Sequence, residues 1–272
     1  MWPLSILFGM IVGLSLGLTG GGGAIFAVPL LVYGLSVPMR EAVGVSLAAV
    51  GATSLFGFLS RLRSGDVELR TGLLFAVAGM AGAPIGAWTA GRVPEPMLLV
   101  MFAGLMIVVA VRMWQKASTL NLSDVNCPVP AEHDAPTCQR DDAGALILSS
   151  RCAKLLLLVG VVTGILSGMF GVGGGFVIVP ALVLFSGMSI YRAVGTSLMV
   201  ISLVSVSGVG SHLLAGREIP LVMTSLFIVG GVLGLVLGNL IGRRLSGPVL
   251  QKAFVVAILI VAAFIIIRSV SA

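Results

Sequence analysis

Gly20-Gly-Gly-Gly-Ala-Ile-Phe-Ala-Val-Pro29 and Gly171-Val-Gly-Gly-Gly-Phe-Val-Ile-Val-Pro180 stand 151 residues apart in one chain. Each follows an apolar stretch long enough for a helix and precedes a shorter one that carries proline. Glycine disfavours helix by about 0.8–1 kcal/mol per residue relative to alanine, so four near-consecutive glycines predict a helix break. The decisive question is what surrounds that break.

The surroundings are a membrane. Of the 272 residues, 58% are hydrophobic and only 10% charged, with a mean hydropathy of +1.15. A soluble domain carries about 25% charged residues, and a water-facing surface cannot be built from fewer than half that share. The apolar runs recur along the whole chain, at 2–18, 23–37, 42–60, 71–90 and 95–113, then 152–169, 175–188, 193–215, 221–242 and 249–267. The Met-Trp-Pro-Leu start has no basic region, so it reads as a first membrane segment and not a removable signal peptide. Soluble enzymes, nucleic-acid binders and disulfide scaffolds are set aside. The net charge of +6 reflects basic residues flanking spans, not a nucleic-acid partner.

Between the two sets of five runs lies one long polar stretch. It holds Asp124, Glu132, Asp134, Asp141 and Asp142, five of the ten acidic residues, together with Cys127 and Cys138. With so little apolar content it is expected to be a disordered linker, dispensable for function. The domain reading is therefore a first membrane repeat at 1–114, a linker at 115–150 and a second membrane repeat at 151–272.

A shift of 151 lays Gly13–Leu47 on Gly164–Leu198 without a gap, with 14 identities in 35 positions. Glycine cluster, proline and the string Ala-Val-Gly-x-Ser-Leu (Ala42–Leu47 and Ala193–Leu198) fall in one register. The match continues at Ser54/Ser205, Gly57/Gly208, Ser60/Ser211 and Gly65/Gly216, then with a one-residue slip at Gly82/Gly234 and Gly86/Gly238. An odd number of crossings per copy would invert the second copy relative to the first. If all five segments cross, 12 of the 16 Lys and Arg fall on one side; if the short segments only dip in, the split is 10 to 6. The positive-inside rule thus favours inverted repeats with a cytoplasmic linker. The fold expected is an all-α polytopic membrane protein of two inverted helical repeats, with paired broken helices at the Gly-rich motifs.

A broken backbone at membrane depth is tolerated only where it lines a protein cavity. A short helix beginning there offers backbone N–H groups and the positive end of its dipole, and the missing Cβ atoms let a ligand approach. Together these make an anion site without a charged side chain. The candidate substrate-binding residues are Thr19, Gly20, Gly21, Gly22, Gly23 and Ser46 from the first copy, and Gly171, Gly173, Gly174, Gly175 and Ser197 from the second. The competing reading of the glycines is a close helix–helix packing face, for which Gly13, Gly17 and the run from Gly20 have the spacing.

Arg40 and Arg192, in the connections before the Ala-Val-Gly strings, are candidates for gating at the cavity mouth or for snorkelling anchors. His212 is a candidate for proton coupling. No Asp or Glu falls within the core of an apolar run, since Glu41, Asp66, Glu68, Glu95 and Glu218 all sit near run ends, so the carboxylate relay typical of proton or cation pumps is missing. The three lysines do not form a Walker A pattern, and no cofactor or metal is expected. The chain is not expected to be an enzyme.

The sequence resembles the TauE/SafE family of sulfite exporters, also called the toluene-sulfonate uptake permease family. The resemblance rests on Gly17-Leu-Thr-Gly-Gly-Gly-Gly…Pro29, Ala42–Leu47, their second copies Gly171–Pro180 and Ala193–Leu198, and Ser211-His212-Leu-Leu-Ala-Gly216. Arg61 stands in the first copy where His212 stands in the second, so any coupling role of the histidine belongs to one copy. The family implies a multi-pass carrier of the bacterial inner membrane, moving sulfite, sulfoacetate or related organic anions by alternating access. The partners expected are a small anion and the lipid bilayer, with no nucleic acid; assembly as a homodimer is left open. The alternatives are a non-transporting scaffold or assembly protein and an intramembrane hydrolase.

Overall fold

The computed structural model describes residues 2–63, 65–94, 97–98, 100–108, 111, 150–171, 175, 178–179, 182, 188, 190–216, 219–242 and 259. The linker of 115–149 and most of the final apolar run lie outside these residues, as do Gly173 and Gly174. Among the described residues all regular structure is helical.

The helices are α1 (Trp2–Thr19), α2 (Ala24–Pro29), α3 (Met39–Leu62), α4 (Leu69–Arg92), α5 (Ser150–Phe170), α6 (Ile190–Leu214) and α7 (Leu221–Gly242). A π-helical turn over Leu30–Gly34 extends α2, beginning directly after Pro29. Proline has no N–H to bond back, and a widened turn absorbs the mismatch. Residues 97–98 and 100–108 are also helical, burying Leu98, Phe102 and Met106, with the Phe102 ring 5.4 Å from that of Phe170. Among the described residues, five helices are long and apolar enough to cross a membrane: α3, α4, α5, α6 and α7. This is a multi-pass membrane protein.

Its outer surface fits that medium. Leu73, Val77, Trp88, Leu158, Val206 and Leu240 are all more than half exposed. Arg92 lies over the Trp88 ring at 3.2 Å from its centroid, at the end of α4. An aromatic ring and a snorkelling cation at a helix end anchor that end at the lipid–water boundary.

Lipid gives no hydrophobic drive for helices to associate, so close packing must supply it. Here glycine does so. Cβ atoms at Gly9, Gly13 and Gly17 of α1 would strike the Phe227, Gly231 and Leu235 carbonyls of α7, and at Gly234 and Gly238 the Met10 and Leu14 carbonyls. The pair α4/α5 repeats the pattern: Gly160, Gly164 and Gly168 meet the Phe75, Gly79 and Ala83 carbonyls, and Gly82 and Gly86 those of Val161 and Ile165. Each contact in one pair has its counterpart in the other under the 151–152-residue shift. Each pair joins one helix from either side of the linker.

Helix directions follow from the same contacts. Partner numbers rise together in α1/α7 (Gly13–Gly231, Gly17–Leu235), α3/α7 (Thr53–Gly231, Gly57–Leu235) and α4/α5, so these pairs are parallel. In α3/α6 they run oppositely: Gly44 meets His212, Gly51 meets Ser205, and Gly57 meets Leu198. Contacts of Gly72 with Met199 and of Gly79 with Val204 make α4 parallel to α6. Hence α1, α3 and α7 run one way and α4, α5 and α6 the other, so helices 151 residues apart in sequence point in opposite directions. Because α1 and α3 share a direction, residues 20–38 must bring the chain back between them. The helical part of that return, Ala24–Gly34, spans only about 16 Å at 1.5 Å per residue.

Cys152, buried in the first turn of α5, is disulfide-bonded. Such a bond persists in an oxidising compartment. The arginine count assigns this end of α5 to the cytoplasm instead; thiol labelling from each side of the membrane decides between the two.

Candidate functional site

The site is built where α1 and α5 end. Gly20 donates its N–H to the Leu16 carbonyl at 2.7 Å, and Gly171 donates to Ser167 at 2.8 Å, closing the last helical turns. Both glycines then turn the chain at positive φ, +75° and +71°. A Cβ would be strained there, and it would also run into Val194 at Gly20 and into Val43 at Gly171. Val43 and Val194 are themselves equivalent under the repeat.

The turned carbonyls are held by the opposite copy. Ser197 Oγ donates to the Gly20 carbonyl at 2.6 Å, and Ser46 Oγ donates to the Gly171 carbonyl at 2.6 Å. Both serines are fully buried. The Ser46 proton is therefore committed to a glycine carbonyl, while the Ser197 proton is shared between the Gly20 carbonyl and the Val194 carbonyl at 2.8 Å. These serines fix the shape of the turns.

Thr19 has a local part. Its hydroxyl donates to the Ser15 carbonyl at 2.7 Å and accepts the N–H of Gly22 at 3.0 Å, bridging the end of α1 to the break. The Gly22 N–H thus has a protein partner. Ile25 and Phe26 donate back to the Gly22 and Gly23 carbonyls at 3.2 and 3.1 Å, starting α2 with Gly23 as its N-cap. Gly23 lies against the backbone of Val12 and Leu16 in α1.

The two breaks meet. A Cβ on Gly21 would strike the Gly175 backbone, and one on Gly175 would strike the Gly21 Cα at 2.6 Å. Ile201 of α6 also abuts Gly175. Ser46 precedes Gly51 by five residues in α3 and Ser197 precedes Ser205 by eight in α6, so the two serine–glycine bonds sit on opposite sides of the Gly51–Ser205 contact. Along the helices those separations are about 8 and 12 Å. Ser46 is also about 10 Å in from the start of α3, so the turn it holds lies well inside the length of that helix.

The gating candidates separate from the turns. Arg40 and Arg192 are exposed at the starts of the antiparallel α3 and α6, one toward each face of the bundle. His212 is 1% exposed and packs on Gly44, with Ile219 beside it. At the equivalent Gly195 the neighbours are Asp66 and Val67, where the Glu68 N–H donates to Thr196 Oγ1 at 3.0 Å and Thr71 donates to the Glu68 carboxylate at 2.8 Å. Arg61, the counterpart of His212, donates to Asn239 Oδ1 at 3.0 Å. Of the two equivalent glycines, one thus packs on a carboxylate-bearing loop and the other on an imidazole.

Among the described residues, the buried polar side chains are serines, threonines and His212. Hydroxyls and backbone dipoles without a fixed opposite charge suit an oxyanion that must be held and then released. Two helix breaks meeting inside a multi-pass bundle are the architecture of a membrane transporter.

Comparison with known proteins carries this further. The profile of the sulfite exporter TauE/SafE family matches residues 5–265. The chain belongs to that family. It is 32% identical over 269 residues, 96% of this chain and 93% of the relative, to a "Probable membrane transporter protein" of Xylella fastidiosa (strain 9a5c). It is 29% identical over 248 residues, 89% of this chain and 88% of the relative, to "Probable membrane transporter protein YunE" of Bacillus subtilis (strain 168). A Methanocaldococcus jannaschii protein, "Probable membrane transporter protein MJ0441", is 28% identical over 222 residues, 79% of this chain and 74% of the relative. These relatives point to a transporter and not an enzyme.

Proposed function

We propose that the protein is a secondary exporter of small sulfur-containing or organic anions, such as sulfite, sulfoacetate and other organosulfonates, in the bacterial inner membrane. The observation that carries this reading is the meeting of Gly21 and Gly175, where two helix breaks approach within a core whose described polar groups are hydroxyls and one imidazole. The family name supports sulfite among oxyanions. Transport proceeds by alternating access: one inverted repeat rocks against the other about the central glycines, exposing the anion to each side in turn. The opposite directions of α1 and α5, of α3 and α6, and of α4 and α7 support the inversion.

The Ser46 and Ser197 bonds give the rocking motion its hinge. Each joins the turn of one repeat to the long helix of the other, so a change in the angle between repeats moves both glycine turns together. Arg40 and Arg192 steer anions toward the two mouths, and His212 lies near the mouth it would couple to a proton. The test is flux of sulfite, sulfate, sulfoacetate and acetate in proteoliposomes, with and without a pH gradient. Saturable movement of sulfite above the protein-free rate is expected. Movement of none of the four above the protein-free rate would overturn this substrate assignment.

A further inference from the structure

Beyond the glycine turns, the long helices α3 and α6 carry a second duplicated pattern. Ser46, Val50 and Ser54 recur as Ser197, Ile201 and Ser205, three residues spaced four apart in each helix. Residues at that spacing share one face of a helix. The first serine of each set bonds a glycine carbonyl of the opposite copy. The middle residue of the second set, Ile201, abuts the break at Gly175. The last serines differ from the first in one respect: Ser54 Oγ and Ser205 Oγ are buried and have no hydrogen-bond partner in the protein.

That vacancy of partners is unusual chemistry. Their residues are 0% and 1% exposed, so lipid and bulk water do not satisfy them. A serine inside a membrane helix can ordinarily bond the carbonyl four residues back, as Thr163 does to Val159 at 2.9 Å. Neither Ser54 nor Ser205 does so. Leaving a buried hydroxyl unmade is costly, and here the cost is incurred twice, at equivalent positions. Ser205 lies against Gly51, one turn before Ser54 on α3, so both hydroxyls belong to the antiparallel crossing between the two serine–glycine bonds. Ser167 Oγ is also unpartnered, but its counterpart is Leu16, and it lies in α5 outside this crossing.

We infer that Ser54 and Ser205 are the direct hydroxyl donors to the transported oxyanion, one from each repeat, with Ser205 one turn from Ile201, which abuts the break at Gly175. This deepens the transporter reading and rests on it. Ser46 and Ser197 then shape the site, while Ser54 and Ser205 touch the ligand. A neutral donor from each repeat also suits alternation, since an anion bridging both would resist rocking until one bond is released.

The test compares wild type, Ser54→Ala, Ser205→Ala, the double variant and Ser54→Thr, purified in detergent. Thermal unfolding is followed with and without sulfite, sulfate and sulfoacetate. Wild type should gain melting temperature with at least one of these anions. Each alanine should weaken the apparent affinity about tenfold, as for a lost hydrogen bond to a charged acceptor, and the double variant should lose the shift. Melting temperatures without anion should stay at or above wild type, because removing an unpartnered hydroxyl removes a buried polar group. Ser54→Thr, which keeps the hydroxyl, should retain binding. If wild type responds and the double variant responds equally, the hydroxyls are not donors, although the transporter reading stands. If no anion shifts wild type, both fall.

Discussion

Along α1, Gly9, Gly13 and Gly17 let the carbonyls of α7 approach to contact; one turn later Gly20 bends the chain at φ +75° and the helix ends. The same missing Cβ serves two purposes within a dozen residues. On the first three it removes bulk so that two straight helices can touch, which is what holds a bundle together in lipid. In the run from Gly20 it removes helix propensity and lets the chain turn inside the bundle. Packing glycines are spaced four apart and face another helix; the glycines of the break are contiguous, and Gly21 among them faces the opposite break at Gly175. The whole contrast is duplicated in α5, where Gly160, Gly164 and Gly168 pack and Gly171 turns.

The packing glycines can be broken hardest. Gly13→Val or Gly164→Val drives a branched side chain into the Gly231 or Gly79 backbone, which cannot yield as a side-chain tip can. Overpacking of this kind costs about 3 kcal/mol or more, and we expect aggregated protein on size-exclusion chromatography in detergent.

Gly22→Val separates the two purposes. Gly22 is buried, but its φ is not in the positive range that excludes side chains, so valine is admissible to the backbone. We expect a monodisperse protein that no longer binds sulfite, measured by scintillation proximity. A variant that aggregates as Gly13→Val does would place Gly22 among the packing residues.

Ser46→Ala and Ser197→Ala act on the connection between the copies. Each leaves a buried glycine carbonyl without its 2.6 Å donor, a loss of about 1–3 kcal/mol that thermal unfolding should register. Anion affinity should fall less than in Gly22→Val, since these hydroxyls hold the turns from behind.

The mildest changes are Gly104→Ala and Gly210→Ala. An added Cβ meets nothing within 4 Å at either position, so neither glycine belongs to a packing pair or a turn. Unfolding should change by no more than about 0.5–1 kcal/mol, toward greater stability if it moves. A large loss at either would show that glycine spacing does not distinguish the two kinds.

Much of this was legible in the sequence because it is local or periodic. Membrane residence follows from composition, the helix break at Gly20–Gly23 from propensity, and the duplicated motif from the 151-residue shift. Thr19 reads in the sequence as a candidate ligand donor, whereas its hydroxyl bonds the Ser15 carbonyl and the Gly22 N–H beside it. What the sequence could not disclose depends on distance along the chain. Ser46 reads as a donor awaiting a ligand until its partner, 125 residues away, is seen to be the Gly171 carbonyl. The pairing of α1 with α7 and of α4 with α5 was hidden in the same way. Each glycine face is visible alone, but which face it meets is decided by how the halves fit. Ser54 and Ser205 read in the sequence as weaker donors than Ser46 and Ser197; only the geometry separates hydroxyls that are bonded from those that are not.

The central claim is that the contiguous glycines form the anion site of a carrier. The most direct measurement is uptake of radiolabelled sulfite into liposomes holding equal amounts of wild type or Gly22→Val, with folding of both checked by thermal melting. The account predicts saturable flux in wild type and background flux in the variant, with both proteins folded. Equal, saturable flux in the two would contradict it and move the site away from the glycine breaks.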